Sequence, residues 1–217
     1  HSGSPAVCAG AYIPASTKRN TVMVIRSLVI TTTLVILAAA PAAAVDEAIN
    51  DVRGIVGFWP ENYEANGSDV GIDSAYRLAG QYMRSLDSFG DAGGLIYGAE
   101  ASFTFASGDN IDSTALVLDG HLGYGYILPN MPAIHFEGTA FLGLGLETVD
   151  AGGNDDIGPL INYGIRAAGF YTFENSWQLG LDLRFLIDST SSQDLGGGDF
   201  DYEDDGVAVL FAFGKRI

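Results

Sequence analysis

The chain has 217 residues, room for one domain with extensions, and 47% of them are hydrophobic against 17% charged, with a mean hydropathy of +0.20. It is acidic, but too apolar and aromatic for a disordered acidic chain. From Val45 onward 27 acidic residues face 7 basic ones, a sign of charge that argues against nucleic-acid phosphate as a partner.

Residues 1–22 show no periodicity and read as an upstream or non-native extension. Residues 23–44, Met23 to Ala44, read MVIRSLVITTTLVILAAAPAAA. Arg26 supplies a positive start, Ser27 to Ala40 an apolar stretch, and Ala42-Ala43-Ala44 a small-residue cleavage site, the pattern of a secretory signal peptide. An uncleaved anchor is the alternative, since the run from Thr21 to Val45 just reaches the length a spanning helix needs. No Cys follows the apolar run, so no lipid anchor is expected. Cys8 is the one cysteine, and it lies in the leading extension, which leaves residues 45–217 with neither disulfide nor thiol chemistry.

Residues 45–217 alternate with period two, the signature of strands. The first strand is predicted over Val52 to Trp59, with its facing unassigned. Val70 to Leu86 sets Asp73, Arg77 and Gln81 against Ile72, Tyr76, Leu78 and Tyr82. Leu95 to Phe105 sets Gly98, Glu100, Ser102 and Thr104 against Leu95, Tyr97, Phe103 and Phe105. Leu116 to Leu128 opposes Asp119 and His121 to Leu116, Leu118, Leu122 and Tyr124. Ile134 to Leu146 opposes His135, Glu137 and Thr139 to Phe136, Leu142 and Leu144. Ile161 to Phe173 opposes Asn162 and Arg166 to Ile161, Tyr163, Ile165 and Tyr171. Trp177 to Ile187 opposes Gln178, Asp182 and Arg184 to Trp177, Leu179, Leu181 and Phe185. Gly206 to Ile217 places Val207, Val209, Phe211 and Phe213 on one face.

The eight strands are joined by connections that alternate in length. Pro60 to Asp69, Ser107 to Ser113, Val149 to Ile157 and Ser189 to Asp205 read as longer polar loops. Asp87 to Gly94, Pro129 to Pro132 and Glu174 to Ser176 read as the other set, of which the last two are tight turns. Long loops at one end and short turns at the other are the habit of outer-membrane barrels. The expected fold is therefore all-β: an eight-stranded antiparallel up-and-down transmembrane β-barrel.

The facing supports a membrane rather than a soluble barrel. Eight strands enclose only enough room for side chains to fill. The polar faces are rich in Gly, Ala and Thr and fit that interior; the faces carrying Trp, Tyr, Phe and Leu would overfill it. Tyr82, Tyr97, Tyr126, Phe136, Tyr171, Phe173, Trp177 and Phe213 cluster beside the short turns, as an aromatic girdle would. The alternative is a soluble, lipocalin-like barrel with a ligand cavity.

Inside such a barrel would lie Arg77, Arg166 and Arg184 against Glu100, Asp119, Glu137 and Asp182, with Arg53 a further candidate cation. Charges away from water must pair, so an ion-pair network plugging the lumen is expected. Glu137, Asp182 and the arginines lining a narrow solute path is the competing reading. His121 and His135 sit on adjacent strands, with His135 expected near Tyr126, some 17 Å from His121 at about 3.3 Å per residue. They cannot share a metal, and neither has a serine beside it for hydrolytic chemistry. No cofactor, catalytic residue or metal site is expected. Asp199, Asp201, Glu203 and Asp205 make the last loop a candidate cation-binding loop. Asp201, Glu203, Asp205 and Gly206 resemble the start of a calcium loop, but the position of its closing Glu is Ala212.

On these features, together with the C-terminal strand Val207 to Ile217, the region from about residue 52 to 217 resembles the small eight-stranded outer-membrane barrels of the OmpA transmembrane-domain and OmpX type, often labelled porin-like. Members of that group usually end in an aromatic residue; this chain ends in Lys215-Arg216-Ile217. The resemblance is one of architecture and carries no catalytic residue across. It implies a monomer in a Gram-negative outer membrane, in contact with membrane lipid, lipopolysaccharide and the barrel-assembly machinery. The leading functional expectation is a non-enzymatic barrel with acidic extracellular loops, serving membrane integrity or surface interaction. A narrow channel for small solutes and a lipid-modifying outer-membrane enzyme are the alternatives.

Overall fold

The computed structural model describes residues 48–60, 62–65, 68–86, 93–108, 111–151, 153–194 and 199–217. The stretches read above as an extension and a signal peptide, residues 1–44, lie outside the described residues. Nine strands follow in chain order: β1 (Asn50–Phe58), β2 (Asn62–Ala65), β3 (Ser68–Ser85), β4 (Gly94–Gly108), β5 (Ile111–Leu128), β6 (Met131–Ala151), β7 (Asn154–Thr172), β8 (Trp177–Asp194) and β9 (Asp199–Arg216). β1 and β2 both lie between β3 and β9, so they are two halves of one stave. The break falls at Trp59-Pro60, where proline has no N–H to give a ladder. Trp59 still donates its backbone N–H to the Ala75 carbonyl at 3.0 Å.

Every neighbouring pair is antiparallel, and β1 closes on β9 from Asp51↔Arg216 to Phe58↔Val209. Eight staves thus form a closed up-and-down ring, and a closed sheet leaves no free edge to aggregate. The sequence-predicted strands are all present but too short. β6 and β7 stay paired up to Ala151↔Asn154, and β8 and β9 up to Asp194↔Asp199. The stretches read as long loops are therefore mostly wall. They escaped the alternation because neither of their faces is apolar, as in Ser189-Thr190-Ser191-Ser192. The opposite end carries the start of β1, the end of β9 and the tight turns at Pro129-Asn130 and Glu174–Ser176, where Ser176 takes the left-handed φ of 66°. These are called below the hairpin rim, for the end of the long strands, and the terminal rim.

The wall is inside out relative to a soluble barrel. Leu122 and Leu144 are 64% and 62% exposed on the outer face, while Arg77 and Arg184 are 1% and 0% exposed on the inner one. That arrangement removes the lipocalin-like alternative, which would bury the leucines and wet the arginines. It is the facing of a transmembrane barrel, apolar toward lipid and polar toward the lumen. The outer apolar belt ends at Leu146 on β6, Ile187 on β8 and Val207 on β9. Above it stand outward polar groups including Asp112, Asp155, Glu203 and Asp205. At the terminal rim aromatic rings pair off: Trp177 stacks on Phe213 at 4.8 Å, and Tyr171 meets Phe173 edge-on at 5.0 Å.

Candidate functional site

The interior is built from inward positions on every stave. Glycines there leave room for long side chains, and Gly143 shows why: a Cβ on it would collide with the side-chain oxygens of both Asn162 and Asp119. The inner face of β1 takes the odd positions, Asp51, Arg53 and Ile55, which settles the facing of that strand.

Ten side chains, five arginines and five carboxylates, form one unbroken alternating chain of contacts. It begins at the terminal rim with Arg216, whose Nε donates to Asp51 at 3.0 Å. Asp51 accepts from Arg53 at 2.7 Å, and Arg53 grips Glu137 through two N–H groups, at 2.6 and 2.8 Å. Glu137 also accepts from Arg166 at 2.8 Å. Arg166 donates to Asp182 at 2.6 Å, which accepts from Arg184 at 3.1 Å. Arg184 donates to both oxygens of Glu100, at 2.8 and 2.7 Å. Arg77 joins Glu100 at 2.9 Å and closes the sequence on Asp119. Amides fill in the remaining positions: Gln81 donates to Glu100, and Gln178 both accepts from Arg53 and donates to Asp51.

Aromatic rings bound the array. The Arg53 guanidinium lies 3.7 Å from the centroid of Phe170, a ring that also stacks on His135 at 4.9 Å. At the hairpin-rim side Trp59 covers Arg77 at 4.2 Å. Cation–π contacts of this kind strengthen when water is excluded. Four of the arginines and all five carboxylates are buried; only Arg216 reaches the rim. Charges so placed are tolerable because each has a partner of opposite sign, although one oxygen of Asp119 and one guanidinium nitrogen of Arg166 keep no hydrogen-bond partner.

The seven residues expected inside, Arg77, Glu100, Asp119, Glu137, Arg166, Asp182 and Arg184, thus lie in mutual contact. Asp51, Arg216, Trp59 and Phe170 were not singled out from sequence. Asp199, Asp201, Glu203 and Asp205 are a different matter. They lie on β9 and not in a loop. Glu203 and Asp205 face outward; the side chains of Asp199 and Asp201 lie outside the described residues.

No known protein family matches the chain, and no curated protein does. Among solved structures it is similar to Ail, the attachment invasion locus protein of Yersinia pestis, at 12% identity and a TM-score of 0.46, over 80% of this chain and 100% of that one. It is likewise similar to the outer membrane protein OprG from Pseudomonas aeruginosa, at 15% identity and a TM-score of 0.45, over 79% and 96% of the two chains.

The histidines are far apart, as the hairpin register requires. His121 opposes Phe141 and His135 opposes Ile127, one residue from the expected Tyr126. Asp51, His135 and Glu137 do converge on one point. That point is taken: Nη2 of Arg53 lies 2.7 Å from Asp51, 2.6 Å from Glu137 and 3.4 Å from the His135 ring nitrogen. A guanidinium stands where a metal would, so the trio is part of the ion-pair chain. His121 has a hydroxyl nearby in Thr139, at 3.4 Å, but both are buried in the lumen and neither reaches the lipid-facing wall.

Two carboxyls above the belt stand outside the alternating chain. Glu147 accepts from the Ser113 and Ser191 hydroxyls. Asp204 accepts from the Trp59 indole at 2.9 Å. Burial pushes the Glu147 carboxyl above its usual range, with the two serines pulling the other way. Burial likewise lifts Asp204 well above its usual range, opposed by Trp59 and assisted by the charge of Glu147. A carboxyl whose folded pKa exceeds its unfolded one holds more protons when folded. Stability is then highest in acid and falls as pH rises past the unfolded value. In chelator, the urea midpoint should fall as pH rises above the ordinary carboxylate range toward neutrality. Asp204→Asn with Glu147→Gln should flatten that slope.

Proposed function

We propose that this chain is a non-enzymatic outer-membrane β-barrel whose lumen is closed by its own ion pairs, and that it serves membrane integrity or surface interaction. The observation that carries this reading is the unbroken sequence of contacts from Arg216 to Asp119, which crosses the lumen through residues of β1, β3, β4, β5, β6, β7, β8 and β9. Eight-stranded barrels have interiors just wide enough for side chains to fill, and the ten-residue array, five arginines against five carboxylates, is neutral in sum. An ion entering would have to part buried charge pairs, which is costly. Outward-facing Glu203, Asp205, Asp112 and Asp155 present anionic groups at the hairpin rim. On this reading they meet divalent cations that bridge lipopolysaccharide phosphates, and the apolar belt meets lipid.

The test is electrical. Folded protein reconstituted into planar bilayers should give no steady conductance. A large, steady channel would sink the closed-lumen reading. Fractionation checks the location: the protein should sediment with outer membranes and shift in gel mobility on heating, and recovery as a soluble protein would remove the proposal.

A further inference from the structure

Just above Arg77, on the hairpin-rim side of the ion-pair chain, lies a cavity of about 20 Å³. Arg77 itself lines it, with Trp59, Thr104, Glu147, Asn162, Ser189 and Asp204 and three apolar side chains. It is large enough for one water-sized occupant. Arg77 is engaged by Glu100 and Asp119, and the polar wall apart from it and the Trp59 indole is mostly oxygen. Glu147 and Asp204 are both buried, and neither forms an ion pair among the described residues, although the charge of Arg77 reaches Asp204. Asn162 is 1% exposed, and its Oδ1 has no hydrogen-bond donor; nor has Oδ1 of Asp204.

The register explains why these oxygens collect here. Asp204 opposes Ser189 on β8, Ser189 opposes Asn162 on β7, Asn162 opposes Gly143 on β6, and Gly143 opposes Asp119 on β5. Gly143 apart, each side chain on this row carries an oxygen that can accept, and Asp119 also keeps an oxygen without a donor. Burying acceptors without a donor is unfavourable. Two carboxylates beside them make the deficit one of charge as well as of hydrogen bonds. Hard oxygen ligands, two of them anionic, are the donor set that calcium takes.

We propose that this cavity is a binding site for one calcium-type divalent cation, held by Asp204, Glu147 and Asn162 with hydroxyl or water oxygens completing the shell. The cation reaches it from the hairpin rim, because the arginine array bars the other side. Its binding replaces protons on the two carboxyls, so affinity falls as pH falls. The site is distinct from the outward acidic residues of β9, which lie on the opposite face of that strand.

The test uses the full chain, refolded in detergent and stripped with chelator. Terbium, a calcium stand-in, should luminesce when tryptophan is excited, because Trp59 lines the cavity whereas the chain's other tryptophan, Trp177, sits at the terminal rim. Calcium chloride should displace the terbium and raise the unfolding temperature. Asp204→Asn and, separately, Glu147→Gln should lose both effects, while Trp177→Phe keeps both. Absence of any calcium-dependent shift in the wild-type protein overturns the site. So does a shift that survives in the Asp204→Asn and Glu147→Gln proteins, which would put the cation on the outer rim. Should a carboxyl variant fail to fold, the wild-type pH dependence still decides: terbium luminescence that does not weaken on acidification counts against these ligands.

Discussion

Replacing Arg184 with Met should lower the unfolding free energy by about 3–5 kcal/mol, the cost of breaking a buried ion pair and leaving a partner uncompensated. Arg184 is fully buried, donates to both oxygens of Glu100 and reaches Asp182. Its removal leaves Asp182 with Arg166, and Glu100 with Arg77 and Gln81. Two carboxylates then share less positive charge in a space that water enters poorly. The partner change Glu100→Gln should destabilise for the mirror reason, stranding Arg184 and part of Arg77. The double variant Arg184→Met, Glu100→Gln should cost less than the two singles summed. Each surviving charge keeps one opposite partner there: Arg77 with Asp119, and Asp182 with Arg166. A coupling of about 0.5–3 kcal/mol is the range for groups in contact. Urea unfolding followed by gel mobility in detergent measures all four corners. Single changes worth less than about 0.5 kcal/mol, the level of surface substitutions, would mean that the array is hydrated and not a closed plug. The same variants then serve the conductance experiment, since an opened lumen should leak where the intact one does not.

How far this site could be read beforehand depended on the kind of signal each residue gave. Arg77, Glu100, Asp119, Glu137, Arg166, Asp182 and Arg184 stand out in sequence because each is a charge on the small or polar face of a strand whose other face is bulky. Period-two alternation reports that facing directly. It does not report which strand lies beside which. Asp51 and Arg216 meet only because β1 closes on β9, a contact spanning 165 positions. Arg216 read as part of a terminal Lys-Arg-Ile tail for the same reason. Trp59 gives no facing signal at all. It closes the first predicted strand, whose facing alternation leaves unassigned, and it turns inward at the Pro60 break to cover Arg77. The hairpin-rim ends of the staves were missed because alternation needs one apolar face, and beyond the belt neither face has to be. That is also why the acidic run ending in Asp204-Asp205 looked like a loop. Its outward carboxylates face the aqueous side, and its inward Asp204 faces the cavity.

Leu142→Arg on the outer wall separates a lipid-facing belt from a water-facing one. Leu142 is 58% exposed and sits between Leu144 and Ala140 on the outward face of β6. Across the strands it opposes Gly120 and Tyr163. If water wets that face, an exposed leucine exchanged for arginine changes stability little, within about 0.5 kcal/mol. If acyl chains cover it, arginine brings a charge to the middle of the belt, at a cost of about 2–4 kcal/mol for a barrel. The long stem relieves part of this by reaching toward an interface, so the cost should shrink toward the rims. Thr148→Arg, two residues past the last belt leucine, should therefore be close to neutral. The comparison is made by refolding all three proteins into lipid vesicles and measuring the denaturant midpoint. Equal midpoints for Leu142→Arg and Thr148→Arg would remove the membrane from the account. The inner array answers to the opposite rule. There a leucine in place of an arginine strands a charge, whereas in the belt an arginine in place of a leucine creates one. A barrel that fails both ways round is one whose inside and outside were exchanged by its solvent.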